Sequence, residues 1–285
     1  MKMKTITKIG EMRSAVKALK SQGKTIGFVP TMGYLHEGHL SLVRESIKKA
    51  DSTVVSVFIN PAQFGPTEDF EDYPRDMKRD SEILEKEGVD YLFVPEVKEM
   101  YPEGYKTYVE VCGFQDRLCG RSRPGHFRGV STVVLKLFNI VNPDFSFFGQ
   151  KDAQQAIILE KMVQDLDLEV KIEILPIIRE EDGLALSSRN TYLNTEERRA
   201  ALVLSESLGE AQKMIEKGEK DVESIISRMK EIIKGEPLAK IDYIEIVDID
   251  NLNPLTSIGK KVLVALAVFI GKVRLIDNVI VHTKE

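Results

Sequence analysis

Tryptophan is absent from this chain of 285 residues, and cysteine and histidine are scarce, at two and four. The cysteines, Cys112 and Cys119, have six residues between them, a spacing that fits no common zinc or redox motif. A disulfide framework is excluded, and two free thiols point to a reducing compartment. Long apolar runs are missing as well. The longest, Val262 to Ile270, is too short to span a bilayer. The basic N-terminus, Met1 to Lys20, has no apolar stretch fit for a signal peptide, so a cytoplasmic location is expected. There is no surplus of positive charge, since the formal net charge is −5. Nothing invites nucleic acid, and any phosphate on a substrate must be met by local cations. No Ser-His-Asp or Cys-His arrangement suggests a protein nucleophile.

What is present is an alternation of buried strands and helices. Thr25 to Val29 reads as a buried strand ended by Pro30, and His39 to Ala50 as a helix. A Val-rich strand over Thr53 to Ile59 follows. A charged helix over Arg75 to Glu87 is stopped by Gly88, and Pro74 suits its first turn. Further strands are expected at Tyr91 to Val94, Phe145 to Phe148 and Val170 to Leu175. Helices are expected at Gly129 to Val141 and Asp152 to Asp165. Continuous apolar strands separated by helices predict a Rossmann-like, doubly wound parallel sheet in an α/β domain over residues 1–181. The remainder changes character. Helices at Thr195 to Lys217 and Asp221 to Lys234, with strands at Tyr243 to Val247, Val262 to Ile270 and Val279 to Val281, predict a smaller C-terminal α+β domain over 182–285.

Ligands of such sheets sit outside the carboxyl ends of the strands. Three strand-to-helix connections fall there: Pro30 to His39, Asn60 to Tyr73 and Gly149 to Lys151. In the first, His36-Glu37-Gly38-His39 opens a helix. By itself a His-x-x-His is a structural pair, a metal site or a phosphate site. Outward-facing amides at the helix start, with Gly33 and Gly38 allowing close approach, put the phosphate reading first. Asn60 and Gln63 carry amides that both donate and accept, which suits a hydroxy acid, although a capped turn would look the same. Arg121, Arg123, His126 and Arg128 form a basic loop, either cationic at the site or merely solvated. Lys151 enters a helix after Gly149 and can meet a phosphate as a point charge, with Gln155 one turn on. Ser187, Ser188 and Arg189 offer two hydroxyls and a guanidinium for phosphate oxygens, or form an ordinary loop.

These five motifs, in this order, resemble the pantothenate synthetase family of the HIGH-motif nucleotidylyltransferase superfamily. The resemblance runs from Lys24 to Leu193 and resumes at Asp242 to Asp248 and Arg274 to Asn278. It implies an ATP-dependent ligase that activates (R)-pantoate as an adenylate and then joins it to β-alanine, releasing AMP and pyrophosphate. It also implies Mg²⁺, a homodimer and a lid role for the C-terminal domain. Carried over by position, Met32, Gly33, Tyr34, Leu35, His36, Glu37, Gly38 and His39 line ATP, with His39 catalytic and His36 beside it. Gly149, Gln150, Lys151, Asp152 and Ile178 also bind the nucleotide. Leu186, Ser187, Ser188 and Arg189 close over its phosphates, Lys151 and Arg189 supplying charge. Gln63, Gln155 and Asn60 bind the acids. Asp80 is offered as a Mg²⁺ ligand. The family often has Glu where this chain has Gln150, so only a backbone role carries over there. The competing enzyme reading is a nucleotidylyltransferase passing AMP or CMP to a phosphorylated acceptor; a non-catalytic nucleotide sensor would not need the Gln63 and Gln155 acid site.

Overall fold

Among the described residues, six short strands form one parallel sheet: β1 (Lys4–Ile6), β2 (Ile26–Thr31), β3 (Ser52–Val57), β4 (Tyr91–Phe93), β5 (Phe145–Gly149) and β6 (Lys171–Leu175). Their order across the sheet is β1-β4-β3-β2-β5-β6. From β2 the chain winds to one side through β3 and β4, then returns to β2's other flank with β5. The computed structural model describes residues 2–66 and 68–283. The helices are α1 (Ile9–Ser21), α2 (Glu37–Lys49), α3 (Met77–Glu87), α4 (Val97–Met100), α5 (Cys119–Ser122), α6 (His126–Val141), α7 (Ala153–Asp165), α8 (Thr195–Ala200), α9 (Val203–Glu216) and α10 (Val222–Lys234).

The expected double winding is visible residue by residue. All six residues of β3 are buried, which requires cover on both faces. Phe28 meets Phe138 of α6 edge-on, with centroids 6.4 Å apart. Its neighbour Val29 points the other way, into a cluster with Leu42 and Val43 of α2. Gly27 lets α2 approach β2: a Cβ there would overlap Ser46 Oγ and sit 3.1 Å from Ala50 Cβ. That Oγ is itself buried and bonded to Thr53 Oγ1 at 2.8 Å, so it has nowhere to move.

The chain packs as two units. The first takes Met1–Gln115, Arg123–Gly149 and Ile158–Pro176; the second takes Asp116–Ser122, Gln150–Ile157 and Ile177–Glu285. The change-over at 176/177 lies just before the expected boundary at 181/182, and two short upstream segments join the second unit. That unit holds an antiparallel sheet, β7 (Ala239–Asp248), β8 (Lys261–Ile270) and β9 (Val273–His282), in the order β7-β8-β9. Its core includes Leu208 of α9, Ile225, Met229 and Ile233 of α10, and Ile246 and Val264 from the sheet.

Several local expectations change. Pro30 lies inside β2, opposite Ser56, and does not end it. β5 pairs with β2 only at Gly27 and Phe28, so the ladder on that flank has already ended before a proline without an N–H. Asp76, not Pro74, opens α3 by accepting the Arg79 N–H, while Gly88 at φ +90 closes the helix as expected. The single helix expected over Thr195 to Lys217 is two, α8 and α9, joined through Ala201 and Leu202. β1 and α1 were not anticipated. No helix of the described residues is long and apolar enough to cross a membrane.

Gly27→Ala is expected to cost about 1–3 kcal/mol of stability by overpacking the α2–β2 seam. A lowered urea midpoint with unchanged slope would report it; an unchanged midpoint would mean that α2 can shift freely.

Candidate active site

The turn from β2 into α2 lies where the winding of the sheet reverses, between β2 and β5. Its backbone is unusual, with Gly33 at φ +87 and Tyr34 at φ +52. A non-glycine residue in the left-handed region needs holding in place. Asp80 of α3 does so: its carboxylate accepts the Tyr34 N–H at 2.7 Å and the Leu35 N–H at 2.8 Å. Position 33 has no room for a side chain, since a Cβ would lie 2.8 Å from Val57 Cγ1 and 3.2 Å from Asp80 Oδ2. Asp80 is 1% exposed. Burial raises its carboxyl pKa, and this outweighs the two backbone donors and Arg79, which lower it. Asp80 is thus spent on the backbone, which corrects the expectation that it holds Mg²⁺. Among the described residues no group of three His, Cys, Asp or Glu could hold a metal ion.

The turn delivers His36 and His39. His36 is the extended residue before α2, and its carbonyl accepts the backbone N–H of His39 at 2.8 Å. His39 Nδ1 in return takes the His36 N–H at 3.3 Å. The rings stack with centroids 4.1 Å apart. The His39 ring thus does what the Glu of a capping box does, reaching back to the backbone N–H before the helix. It has a chemical corollary. A neutral ring that accepts at one nitrogen carries its proton on the other. His39 therefore presents Nε2–H as a donor. Glu37, an unfavourable charge at an anion-binding helix start, is paired with Arg44. Arg44 also holds Glu87 at 2.7 and 2.9 Å, tying α2 to α3.

Asn60 and Gln63 lie on the connection after β3, in and before a tight 3-10 turn over Pro61–Gln63. Asn60 is 1% exposed. Its Oδ1 accepts the Ala62 N–H at 3.3 Å and the Tyr101 hydroxyl at 2.8 Å. Its Nδ2 donates to Gln63 Oε1 at 3.1 Å and to the Gly129 carbonyl at 3.0 Å. Gln63 Nε2 faces Met32 Sδ at 3.1 Å, so the structure brings Met32, Asn60 and Gln63 together. Helix α6 touches this turn backbone to backbone. A Cβ on Gly129 would overlap Ala62 O and lie 2.7 Å from Gln63 Cα. His126 Nδ1 bonds the Gln63 carbonyl at 2.8 Å, and Arg123 is paired with Glu68. The basic loop thus has structural partners. The Met32–Tyr34 turn also walls a cavity of about 390 Å³ with Phe58, Phe70 and Val94.

Of the remaining predicted residues Gly149 ends β5 of the first unit; the others belong to the second unit, several of them held from β9. Asn278 Nδ2 donates to the Gln150 and Lys151 carbonyls, each at 2.9 Å, and Gln150 Nε2 donates to Asn278 Oδ1 at 3.2 Å. A backbone role for position 150 fits this latch, and a carboxylate is not needed for it. Lys151 lies 3.7 Å from Asp152. The adjacent Asp277, 3% exposed, takes Arg179 in two bonds of 2.7 and 2.9 Å. Arg179 follows Ile178, whose carbonyl accepts the Leu186 N–H at 3.0 Å. A hairpin therefore sets Ile178 beside Leu186, and Ser187 Oγ accepts the Arg189 N–H to start the next turn. Gln155 is half-buried, whereas Gln154 is spent on Cys119 N and Arg117 O. The supports Asp277, Asn278, Arg179, Tyr101 and Gly129 had no assigned role in the sequence. The only signal was that Arg274 to Asn278 repeats a stretch of the family pattern.

The family profile described as Pantoate-beta-alanine ligase matches residues 4–280. A pantothenate synthetase of Caldicellulosiruptor saccharolyticus is 59% identical over 98% of this chain and 100% of its own. That of Thermosipho africanus is 57% identical over the same shares. Among solved structures, the pantothenate synthetase of Thermus thermophilus superposes with a TM-score of 0.93 at 43% identity, covering 97% of this chain and 99% of that one. A pantoate-beta-alanine ligase of Francisella tularensis, complexed with beta-gamma ATP and beta-alanine, gives 0.81 at 35% identity, with 97% of each covered.

Asp80 yields a pH test. Its raised folded value means that the folded chain holds the proton more tightly than the unfolded chain. That contribution is complete below the ordinary value of 3.8 and is lost as pH rises through the folded value. The stability lead of the wild type over Asp80→Asn should shrink as pH climbs through this window in stepped urea titrations. A lead that grows instead would mean that the two N–H bonds outweigh burial.

Proposed function

The chain belongs to the pantoate–β-alanine ligase family and joins pantoate to β-alanine at the expense of ATP; we propose that its two units divide the work as follows. Pantoate's carboxylate attacks the α-phosphorus, pyrophosphate leaves, and a pantoyl adenylate forms. The amine of β-alanine then attacks the acyl carbon, AMP departs, and the amide of pantothenate remains. A carboxylate oxygen is a poor leaving group and AMP a good one, which is why ATP is spent.

The observation that carries this reading is the bond from the His36 N–H to His39 Nδ1 at the start of α2. It holds His39 as an Nε2–H donor at a helix start that already favours anions. Adenylation asks the protein for alignment and for charge stabilisation on the departing pyrophosphate. His39 and His36 supply neutral donors for that charge. Met32 to Gly38 supply the close-lying backbone. Gln63 faces the acid, with Gln155 as its second polar contact. Gly149 to Asp152, Ile178 and Leu186 to Arg189 are the nucleotide residues, Lys151 and Arg189 acting as cations and the second unit as the lid. Asn60, with both its amide groups engaged, supports Gln63 in this scheme and does not reach substrate itself. Mg²⁺, bound together with ATP, would offset the charge of its phosphates. The acidic side chains of the described residues do not assemble a site for it, and no step is routed through a protein-held metal. We further propose a cytoplasmic homodimer; the two unbridged cysteines agree with a reducing compartment.

Incubation with ATP and Mg²⁺ should release AMP in turnover only when pantoate and β-alanine are both present. AMP formed equally without pantoate would sink the assignment, and a product that retains the nucleotide would favour a nucleotidylyltransferase. His39→Ala should slow adenylation by on the order of 10²-fold, as loss of one charge-stabilising donor does. A folded His39→Ala enzyme with near-normal rate would remove His39 from the chemistry.

A further inference from the structure

Gln63 has a symmetrical problem: a carboxamide can turn by half a rotation and exchange donor for acceptor with almost no change in shape. Which end faces the acid decides whether the residue can bind a carboxylate or hydroxyl oxygen. The structure holds a chain of bonds that settles the choice. The Ala62 N–H can only donate and the Gly129 carbonyl can only accept, so Asn60 must turn Oδ1 to the first and Nδ2 to the second. Nδ2 then faces Gln63 and demands the acceptor Oε1 on that side. The amide hydrogens of Gln63 are left pointing to Met32 Sδ, a weak acceptor that a substrate oxygen displaces readily.

The Ala62 bond that anchors Oδ1 is long, at 3.3 Å. The short anchor is the Tyr101 hydroxyl at 2.8 Å. We propose that Tyr101, at the end of α4, is a positioning residue for the acid: through Asn60 it locks the Gln63 carboxamide with its NH2 toward substrate, making this wall of the subsite a donor to oxygen and a poor host for an amine. Tyr101 is suited to a permanent role as donor. Burial, chiefly, and the Tyr105 and Tyr108 hydroxyls push its pKa up, so it does not ionise at working pH. Its ring is held independently of the hydroxyl. Tyr105 packs edge-on with centroids 5.0 Å apart, and the Lys136 ammonium lies 5.7 Å from the ring centre. Phenylalanine can therefore take its place and remove one hydroxyl alone.

The inference rests on the reading of Gln63 as an acid-binding residue, and the test separates the two. Steady-state constants and melting temperatures are measured for the full-length wild type, Tyr101→Phe, Gln63→Ala and, as a ring control, Tyr105→Phe. Side-chain amide NMR of ¹⁵N-glutamine-labelled protein reads the Gln63 carboxamide directly, assigned by its loss in Gln63→Ala. Loss of one buried hydrogen bond predicts a pantoate KM raised about tenfold in Tyr101→Phe, with the KM for ATP unchanged and the melting temperature lowered by only about 2–4 °C. The two Gln63 amide protons, distinct in the wild type, should broaden or converge in Tyr101→Phe and stay distinct in Tyr105→Phe. If Gln63→Ala raises the pantoate KM and Tyr101→Phe does not, the positioning role is overturned. If Gln63→Ala leaves that KM unchanged, the acid-site reading of Gln63 fails. The amide signals then decide alone: their loss in Tyr101→Phe upholds the lock and their persistence overturns it.

Discussion

One buried carboxylate underlies the chemistry of the first unit. Asp80 accepts two successive backbone N–H groups from a turn whose residues, Gly33 and Tyr34, stand in left-handed conformations. Such backbone is costly and persists only where surrounding structure over-determines it. The turn in turn fixes where α2 begins, and the start of α2 fixes both imidazoles. Arg44, shared between Glu37 and Glu87, fastens the same two helices further along. A carboxylate on α3 therefore sets where both imidazoles stand. Isolation of this carboxylate from water is part of the arrangement. A hydrated Asp80 would hold the two N–H groups less firmly.

The second unit repeats this plan with different residues. Asp277 and Asn278 are neighbours on β9, yet one secures Arg179 beside the Ile178–Leu186 hairpin and the other secures the Gln150–Lys151 turn. Two loops proposed to hold the nucleotide thus depend on adjacent positions of one strand. Strands are stiff, and a pair of anchors on one strand keeps a constant spacing. In both units the buried side chains that shape these turns, Asp80, Asp277 and Asn278, sit in regular elements.

The strand-helix alternation was legible because buried parallel strands are nearly continuous apolar runs, as Ser52–Val57 shows. The places where the reading changed have identifiable causes. Pro30 reads as a stop because proline lacks an N–H, but β5 no longer pairs with β2 at that point, so none is required there. β1 is only three residues long, below the length at which alternation can be recognised. His36 and His39 stood out by spacing and position, whereas the hold of the His39 ring on the His36 N–H depends on an extended His36 that no spacing reveals. Asp80 was noticed for the wrong reason. A carboxylate near a phosphate site suggests a cation, and only its burial beneath the turn shows that its partners are backbone. Asn60 likewise looks like a binding residue until its four bonds are counted off among Ala62, Tyr101, Gln63 and Gly129. Long-range partners such as Tyr101, Gly129 and Asn278 come together through topology, which local pattern does not encode.

The bare contact between Gly129 and the Ala62–Gln63 backbone limits how the acid subsite can evolve or be redesigned. Most loops that shape a pocket can breathe, and a larger substrate is admitted by letting the chain drift outward or inward with modest compensation. Here one wall is a main-chain seam with no side chain to trim on the helix side. Changes in substrate size on that wall must come from exchanging side chains that face the acid, since the chain behind them has no slack. Directed evolution toward bulkier or smaller hydroxy acids should accordingly find position 129 nearly monomorphic while its side-chain neighbours diversify.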